Sequence, residues 1–336
     1  MPPQVKRRQL LVGAGVAGLG LLAGCARWSG QPQPAAKIYR MGYLAPTTAA
    51  IDEPRFARLE QGLQDLGWIV GQNLTIERRL AEGQLERLPN LATELVHLQP
   101  DVIVTFAEPA SRAMTDATST VPIVFAAHAD PVGTGLVASF AHPGGNITGV
   151  SQMAPELAGK RLELLKQAVP TVARVGAVWN TSMPAMAREY GETLVSAQAL
   201  GIELHSLSVR TLADFDGAFQ AGMEGRLDAV VVILDPLIAQ GRERLVELST
   251  KTGLPTISGD ATFAAAGGLM SYGPNLARQA ERAAYYVDRI LKGAKPADLP
   301  VEQPMLFDFV VNMKTARELG ITFPQEILLQ VTELIQ

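Results

Sequence analysis

The chain is poor in the groups that carry most side-chain chemistry. It has a single cysteine, Cys25, in 336 residues, so no disulfide can close within it and no CxxC redox or zinc pair exists. Four histidines, His97, His128, His142 and His205, are scattered without metal-ligand spacing. There is no HExxH, no Walker-type glycine loop before Lys-Ser/Thr and no Gly-x-Ser-x-Gly nucleophile elbow. Thiol, serine-nucleophile, bound-metal and phosphate-cradle chemistry therefore have no recognisable seat, and the reading is of a binder, not an enzyme, with no cofactor and no metal. Positive charge is also short. Beyond residue 24 there are 26 basic and 33 acidic residues, a net charge of −7, which gives no electrostatic footprint for a nucleic-acid partner. A membrane span is missing as well: the one long uncharged run, residues 10–24, is about 15 residues, short of the ~20 a helix needs to cross a bilayer.

What that run does have is context. Lys6-Arg7-Arg8 precedes it and Leu22-Ala23-Gly24-Cys25 closes it, giving the charged, apolar and small-residue parts of an export signal. Small residues before a cysteine fit lipoprotein processing, with Cys25 the acylated first residue of the mature chain. Arg7-Arg8-Gln9-Leu10 also fits twin-arginine export, although Lys6 stands where Ser or Thr is usual; general secretion is the alternative. Residues 25–36, rich in Pro, Gly and Gln, read as a flexible tether.

From residue 37 on, short β-rich runs alternate with helical periodicity. Strands are expected at 38–44, 74–79, 102–106, 123–126 and 147–150, with helices at 54–66, 84–98 and 110–117 between them. Phe56, Leu59, Leu63 and Leu66 recur every three or four residues, one apolar helix face. Val102-Ile103-Val104 and Ile123-Val124-Phe125 are continuously apolar, as in parallel strands covered on both faces. The alternation restarts at a helix over 157–168. Strands follow at 175–179, 202–206, 229–234, 256–258 and 268–272, and helices at 185–200, 212–223 and 238–250. A long helix over 276–291 stops at Gly293, before a strand at 306–311 and a helix at 313–319. The fold class is α/β: two doubly wound, Rossmann-like lobes.

Five stretches carry a resemblance: 121–126 (VPIVFA), 130–137 (DPVGTGLV), 142–151 (HPGGNITGVS), 267–273 (GGLMSYG) and 292–304 (KGAKPADLPVEQP). In this order they are similar to the ABC-transporter substrate-binding family associated with uptake of tryptophan, tyrosine and other amino acids or small solutes, of the type I periplasmic binding protein fold. The resemblance runs from about Ile38 to Ile335. It implies a three-crossing hinge, placed near 150–152, 272–274 and 308–312. The domains are then a signal peptide, 1–24, a lipidated tether, 25–36, one lobe of 37–150 plus 274–308, and a second of 151–273 plus 309–336. The implied function is an extracytoplasmic solute-binding lipoprotein of an ABC importer, anchored through Cys25 on the outer side of the cytoplasmic membrane, with membrane permease subunits as partners. A sensor lipoprotein serving a membrane receptor needs the same clamp. An exported enzyme is a further alternative. The family commonly has a Gly-Thr-Pro-like turn where this chain has Ala107-Glu108-Pro109.

Ligands of open α/β sheets sit beyond the carboxyl ends of the strands. The loops there supply Thr47 and Thr48, then Glu108, Ala110 and Ser111, then Asp130, in the first lobe, and Asn180, Asp235, Ser258 and Asp260 in the second. Tyr272 lies at the hinge; Tyr43 and Phe106 are aromatic candidates for either cleft or core. Helix N-termini and hydroxyls on one side and acids on the other suit a zwitterion or polar solute, such as an amino acid. Asp235, at the end of the most apolar strand of the second lobe, is favoured over Asp130 and Glu108 for the cationic end. Each of these residues has a purely structural role open to it, as a helix cap or turn.

The lipidation reading has a direct check. Cys25→Ser in a bacterial host is expected to lose labelled fatty acid and leave the membrane fraction; label entering the variant rules Cys25 out as the anchor.

Overall fold

Every apolar strand run in the sequence finds a parallel neighbour, and the result is two sheets. In the computed structural model residues 37–336 are described. The signal peptide, Arg7, Arg8, Cys25 and the tether lie outside the described residues. The first sheet holds β1 (Tyr39–Ala45), β2 (Leu74–Leu80), β3 (Val102–Thr105), β4 (Ile123–His128) and β5 (Ile147–Ser151), with α1 (Ala49–Asp65), α2 (Leu88–His97) and α3 (Ala107–Ala117) in the connections. The second begins with α4 (Ala158–Ala168), β6 (Arg174–Asn180), α5 (Pro184–Ala199), β7 (Glu203–Val209), α6 (Asp214–Glu224) and β8 (Ala229–Val232). It continues with α7 (Pro236–Gln240), α8 (Arg242–Thr252), β9 (Thr256–Ser258), α9 (Ala261–Ala265) and β10 (Met270–Pro274). After α10 (Leu276–Leu291) come β11 (Phe307–Asn312), α11 (Met313–Glu318), α12 (Gln325–Leu328) and β12 (Glu333–Ile335).

The strand orders are β2-β1-β3-β4-β5 and β12-β11-β10-β9-β8-β6-β7, parallel except where β11 runs against β10. In each sheet the chain starts inside, steps outward once, then jumps back: β1 to β2 to β3, and β6 to β7 to β8. That reversal leaves a crevice between the loops after β1 and β3, and another between those after β6 and β8.

Three passages join the sheets. The first follows Ser151, the second follows Pro274, and the third lies between Glu302, which bridges Val150 of the first sheet, and Phe307 of the second. The third is earlier than the 308–312 expected from sequence, because β11 pairs with β10 from its first residue. The helix that leaves the second sheet packs on the first: Ala280, Ala283, Ala284 and Val287 of α10 are buried with Met41, Val102 and Val124, and with Phe56, Leu59 and Leu63 of α1.

Some elements differ from the sequence pattern. Helix α1 starts at Ala49, since the Thr48 carbonyl accepts from Ile51 and Asp52 N–H, and Pro54 falls in its second turn instead of opening it. The helix expected at 238–250 is two, α7 and α8, parted at Gly241, where a Cβ would come within 2.1 Å of the Phe215 ring. The elements α9, α12 and β12, of three to five residues, are too short to show a period. Among the described residues no helix is long and apolar enough to cross a membrane.

Gly62 is where α1 and α10 come closest: a Cβ there would sit 2.9 Å from Ala284 Cβ and 3.0 Å from Glu281 O. Gly62→Val is therefore expected to destabilise by about 2 kcal/mol through overpacking, read as a lower urea midpoint at unchanged slope.

Candidate functional site

The two crevices face each other. Between them is a cleft lined from the first sheet by Pro46 and Thr47 after β1, by Phe106, Ala107 and Glu108 after β3, and by Ala127 and Ala129 at the end of β4. From the second sheet come Met183 and Met186 after β6, and Leu234, Asp235, Pro236 and Ala239 after β8. Arg55 of α1, Gln152 of the first crossing and Leu276 after the second complete it. Counted out to its mouth the space is about 550 Å3, and its walls are mostly apolar with a few convergent polar groups, the usual build of a small-molecule site.

Of the residues expected from sequence, Thr47, Glu108 and Asp235 line this cleft. The others lie beside it or behind it. Thr48 begins α1 through its backbone, without a side-chain cap. Ala110 packs into the core from α3, and the Ser111 hydroxyl pairs with Thr105 Oγ1 at 2.9 Å and donates to Ala107 O at 3.1 Å. Asp130 accepts from Gly133 N–H and from Arg188 Nη1 at 2.5 Å, an ion pair that joins the loop after β4 to α5 across the two sheets. Asp260 caps α9 and stands 4.0 Å from Arg55 Nη2, a second such contact. Asn180 donates to Asp235 Oδ2 at 2.5 Å while its carbonyl accepts from Ser182 N–H, so it orients the aspartate. The buried Ser258 hydroxyl has no partner and lies outside the lining. Tyr272 stacks on Phe307 beside the hinge, and Tyr43 is core, donating to Asp52 at 2.8 Å; Phe106 is the aromatic in the cleft.

The polar lining is unevenly satisfied. Asp235 caps α7 through Ile238 N–H at 2.8 Å and takes Asn180 on its other oxygen. Glu108 Oε2 and Thr47 Oγ1 are buried without any hydrogen-bond partner. Such atoms cost free energy unless something else supplies the missing bond. Burial holds the Glu108 carboxyl above the ordinary carboxylate range; Arg112 and the Ala185 N–H pull it down, and the nearby Asp130 and Asp235 push it up. Burial pushes the Asp235 carboxyl up to about 6, against the hydrogen bonds from Ile238 and Asn180. Arg55 is the cation of the lining, its guanidinium 5.1 Å from the Phe106 ring centre.

Sequence reasoning missed Arg55, Gln152, Met183, Met186 and Leu276. Met183 and Met186, spaced by three at the head of α5, carried a readable signal; Arg55, Gln152 and Leu276 reach the cleft only through tertiary packing.

Residues 53–335 match the family described as ABC transporter substrate binding protein. The chain belongs to that family. This substrate-binding protein is 24% identical over 322 residues to a tyrosine-binding protein of Clostridioides difficile, covering 93% of this chain and 91% of that one. A crystal structure of a conserved domain protein from Vibrio cholerae aligns with a TM-score of 0.83 at 31% identity, covering 89% of this chain and all of the other. A Streptococcus pneumonia ABC domain in complex with L-Trp aligns at 0.84 and 28% identity, with the same coverage. The two-lobed type I periplasmic binding protein fold is shared with these neighbours.

The site electrostatics of the binding protein give a signed expectation. Asp235 ionises near pH 6 in the fold against an ordinary 3.8, so the fold favours its neutral form. That contribution to stability is complete below about pH 4 and is lost as pH rises through 6. Asp235→Asn keeps the α7 cap and is expected to flatten the fall in melting temperature of ligand-free protein between pH 4 and pH 7.

Proposed function

We propose that this substrate-binding protein is the extracytoplasmic, Cys25-anchored receptor of an ABC importer, closing over an amino-acid-like zwitterion with an apolar body. The two jaws are residues 37–151 with 275–306, and 152–274 with 307–336. The observation that carries the reading is the pair of unpartnered buried atoms, Thr47 Oγ1 and Glu108 Oε2, at the wall of an otherwise apolar cleft. An ammonium group bound at Glu108 supplies the donor its free oxygen lacks and relieves the repulsion from Asp235. Arg55 and the Thr47 hydroxyl offer the opposite end a cation and a donor. Phe106, Met183, Met186, Leu234 and Leu276 offer an apolar lining to the ligand's body. The L-Trp complex and the tyrosine-binding relative support aromatic amino acids as the first ligands to try.

Glu108, more than Asp235, fits the ammonium partner, because both Asp235 oxygens already accept hydrogen bonds within the protein. In titration calorimetry of the mature protein with L-tryptophan and L-tyrosine, Glu108→Gln is expected to weaken binding by about 100-fold or more. The basis is that removing one partner of a buried charge pair costs about 3–5 kcal/mol. Equal affinity in the variant removes Glu108 from the site, and unchanged solutes with no heat in the wild type remove the amino-acid reading.

A further inference from the structure

Ala107 and Ala127 hold backbone conformations that belong to glycine. Among the described residues six non-glycine positions have positive φ: Glu82, Gln99, Ala107, Ala127, Met153 and Arg226. Gln99 and Arg226 have an ordinary explanation, since each follows the end of a helix, α2 and α6, where a left-handed residue closes the last turn. Ala107 and Ala127 have no such excuse. Ala107, at φ 63°, starts α3, and Ala127, at φ 139°, is the bulged residue of β4, between the ladder pairs made by Ala126 and His128. Glycine would take either conformation without the clash that a Cβ brings. Both alanines line the cleft at or just beyond the carboxyl ends of two adjacent parallel strands, Ala107 half-buried and Ala127 2% exposed at the edge of the core, and the Cβ methyl is the only side-chain atom either possesses.

Strain that is retained where a strain-free residue was available points to a use for the extra atom. The opposite wall sharpens the point. It is made by Met183 and Met186, unbranched thioethers that fill irregular gaps and re-pack around different shapes. A chamber with one adaptable wall takes its size limit from the rigid one. The segments at the ends of β3 and β4, adjacent strands of one parallel ladder, carry methyls on strained backbone and are the rigid one.

We infer that Ala107 and Ala127 are specificity-determining residues whose methyl groups set the largest apolar body the cleft admits. The inference rests on the solute-binding reading given above and deepens it. The two methyls act by exclusion: they make no polar contact with the ligand and leave its charged ends to Glu108, Thr47 and Arg55.

The test is Ala107→Gly and Ala127→Gly, singly and together, in the mature protein. Affinities for L-leucine, L-phenylalanine, L-tyrosine and L-tryptophan are measured by calorimetry beside the melting temperature of the empty protein. One methylene in an apolar pocket is worth roughly 10- to 200-fold in discrimination. The ratio of tryptophan to leucine affinity is therefore expected to rise about tenfold or more in each variant. The empty variants are expected to melt no lower than the wild type, because glycine removes the backbone strain. A wild type that binds these solutes, with variants whose melting temperature shifts while the affinity ratios stay put, overturns the inference and leaves a structural role only. Wild type and variants that all bind none of the four overturn the solute reading and the size filter with it.

Discussion

Arg161 is the side chain on which the arrangement of the two jaws depends. It rises from α4 and is almost wholly buried, 3% exposed. Its Nε donates to Tyr272 O at 2.9 Å, in β10 just before the second crossing, and its Nη1 donates to Ala154 O at 3.3 Å, in the first crossing. The same Nη1 is 2.5 Å from Glu189 Oε1 of α5, and Gly259 presses so close that a Cβ there would lie 2.8 Å from Nη2. One planar fork thus satisfies a carbonyl of the first passage and one of β10, 118 residues apart in sequence, with donors held in a fixed plane as a lysine's are not. The requirement for charge in the interior has a visible cost: burial pushes the Glu189 carboxyl up to about 7 even beside the guanidinium, and its Oε2 has no partner. On the side of the first jaw, Ser151 N–H donates to Glu302 O, Glu302 N–H donates to Gly149 O, and Gln279 of α10 donates to the Ser151 carbonyl.

The rim of the cleft works differently from the hinge. Arg188 with Asp130, and Arg55 with Asp260, each join one jaw to the other. Arg188 is 45% exposed while the Asp130 side chain is 3% exposed, and both Arg55 and Asp260 are largely buried, so these are half-buried to buried contacts and not surface ion pairs. The approach is tight enough to fix a neighbour's identity: a Cβ on Gly133 would overlap both Asp130 Oδ2 and Arg188 Nη1.

What was legible in the sequence and what was not divide along one physical line. Thr47, Glu108 and Asp235 could be found because a parallel strand ends just before each, and the edge where such strands end is where open sheets bind. The same rule named Asp130 and Asp260, which stand at strand ends too. Their separate employment came from arginines 58 and 205 residues away, on the opposite jaw, and no local pattern encodes that pairing. Arg55 escaped for the matching reason: it flanks the apolar stripe of α1, and only the folded position of that helix aims it at the cleft. The expected strands and helices were legible as elements from their apolar runs and periodicity, whereas α9, α12 and β12 are too short to carry a period. Gly241 could not be told from a tolerated mid-helix glycine until Phe215 was seen against it.

The empty cleft is an unfavourable place by design of its parts. Asp130 and Asp235 add to the burial that raises the proton affinity of Glu108, a hydroxyl and a carboxylate oxygen lack partners, and two alanines sit on glycine's backbone. Each of these costs is borne before any ligand arrives, with the lining already positioned by ladders, caps and the Arg161 fork. A ligand that brings a cation, a hydrogen-bond partner and an apolar body of the right bulk removes the electrostatic and hydrogen-bonding part of that cost. It does so without having to order the groups it meets, and affinity in such a site comes from that saving of reorganisation more than from the area covered.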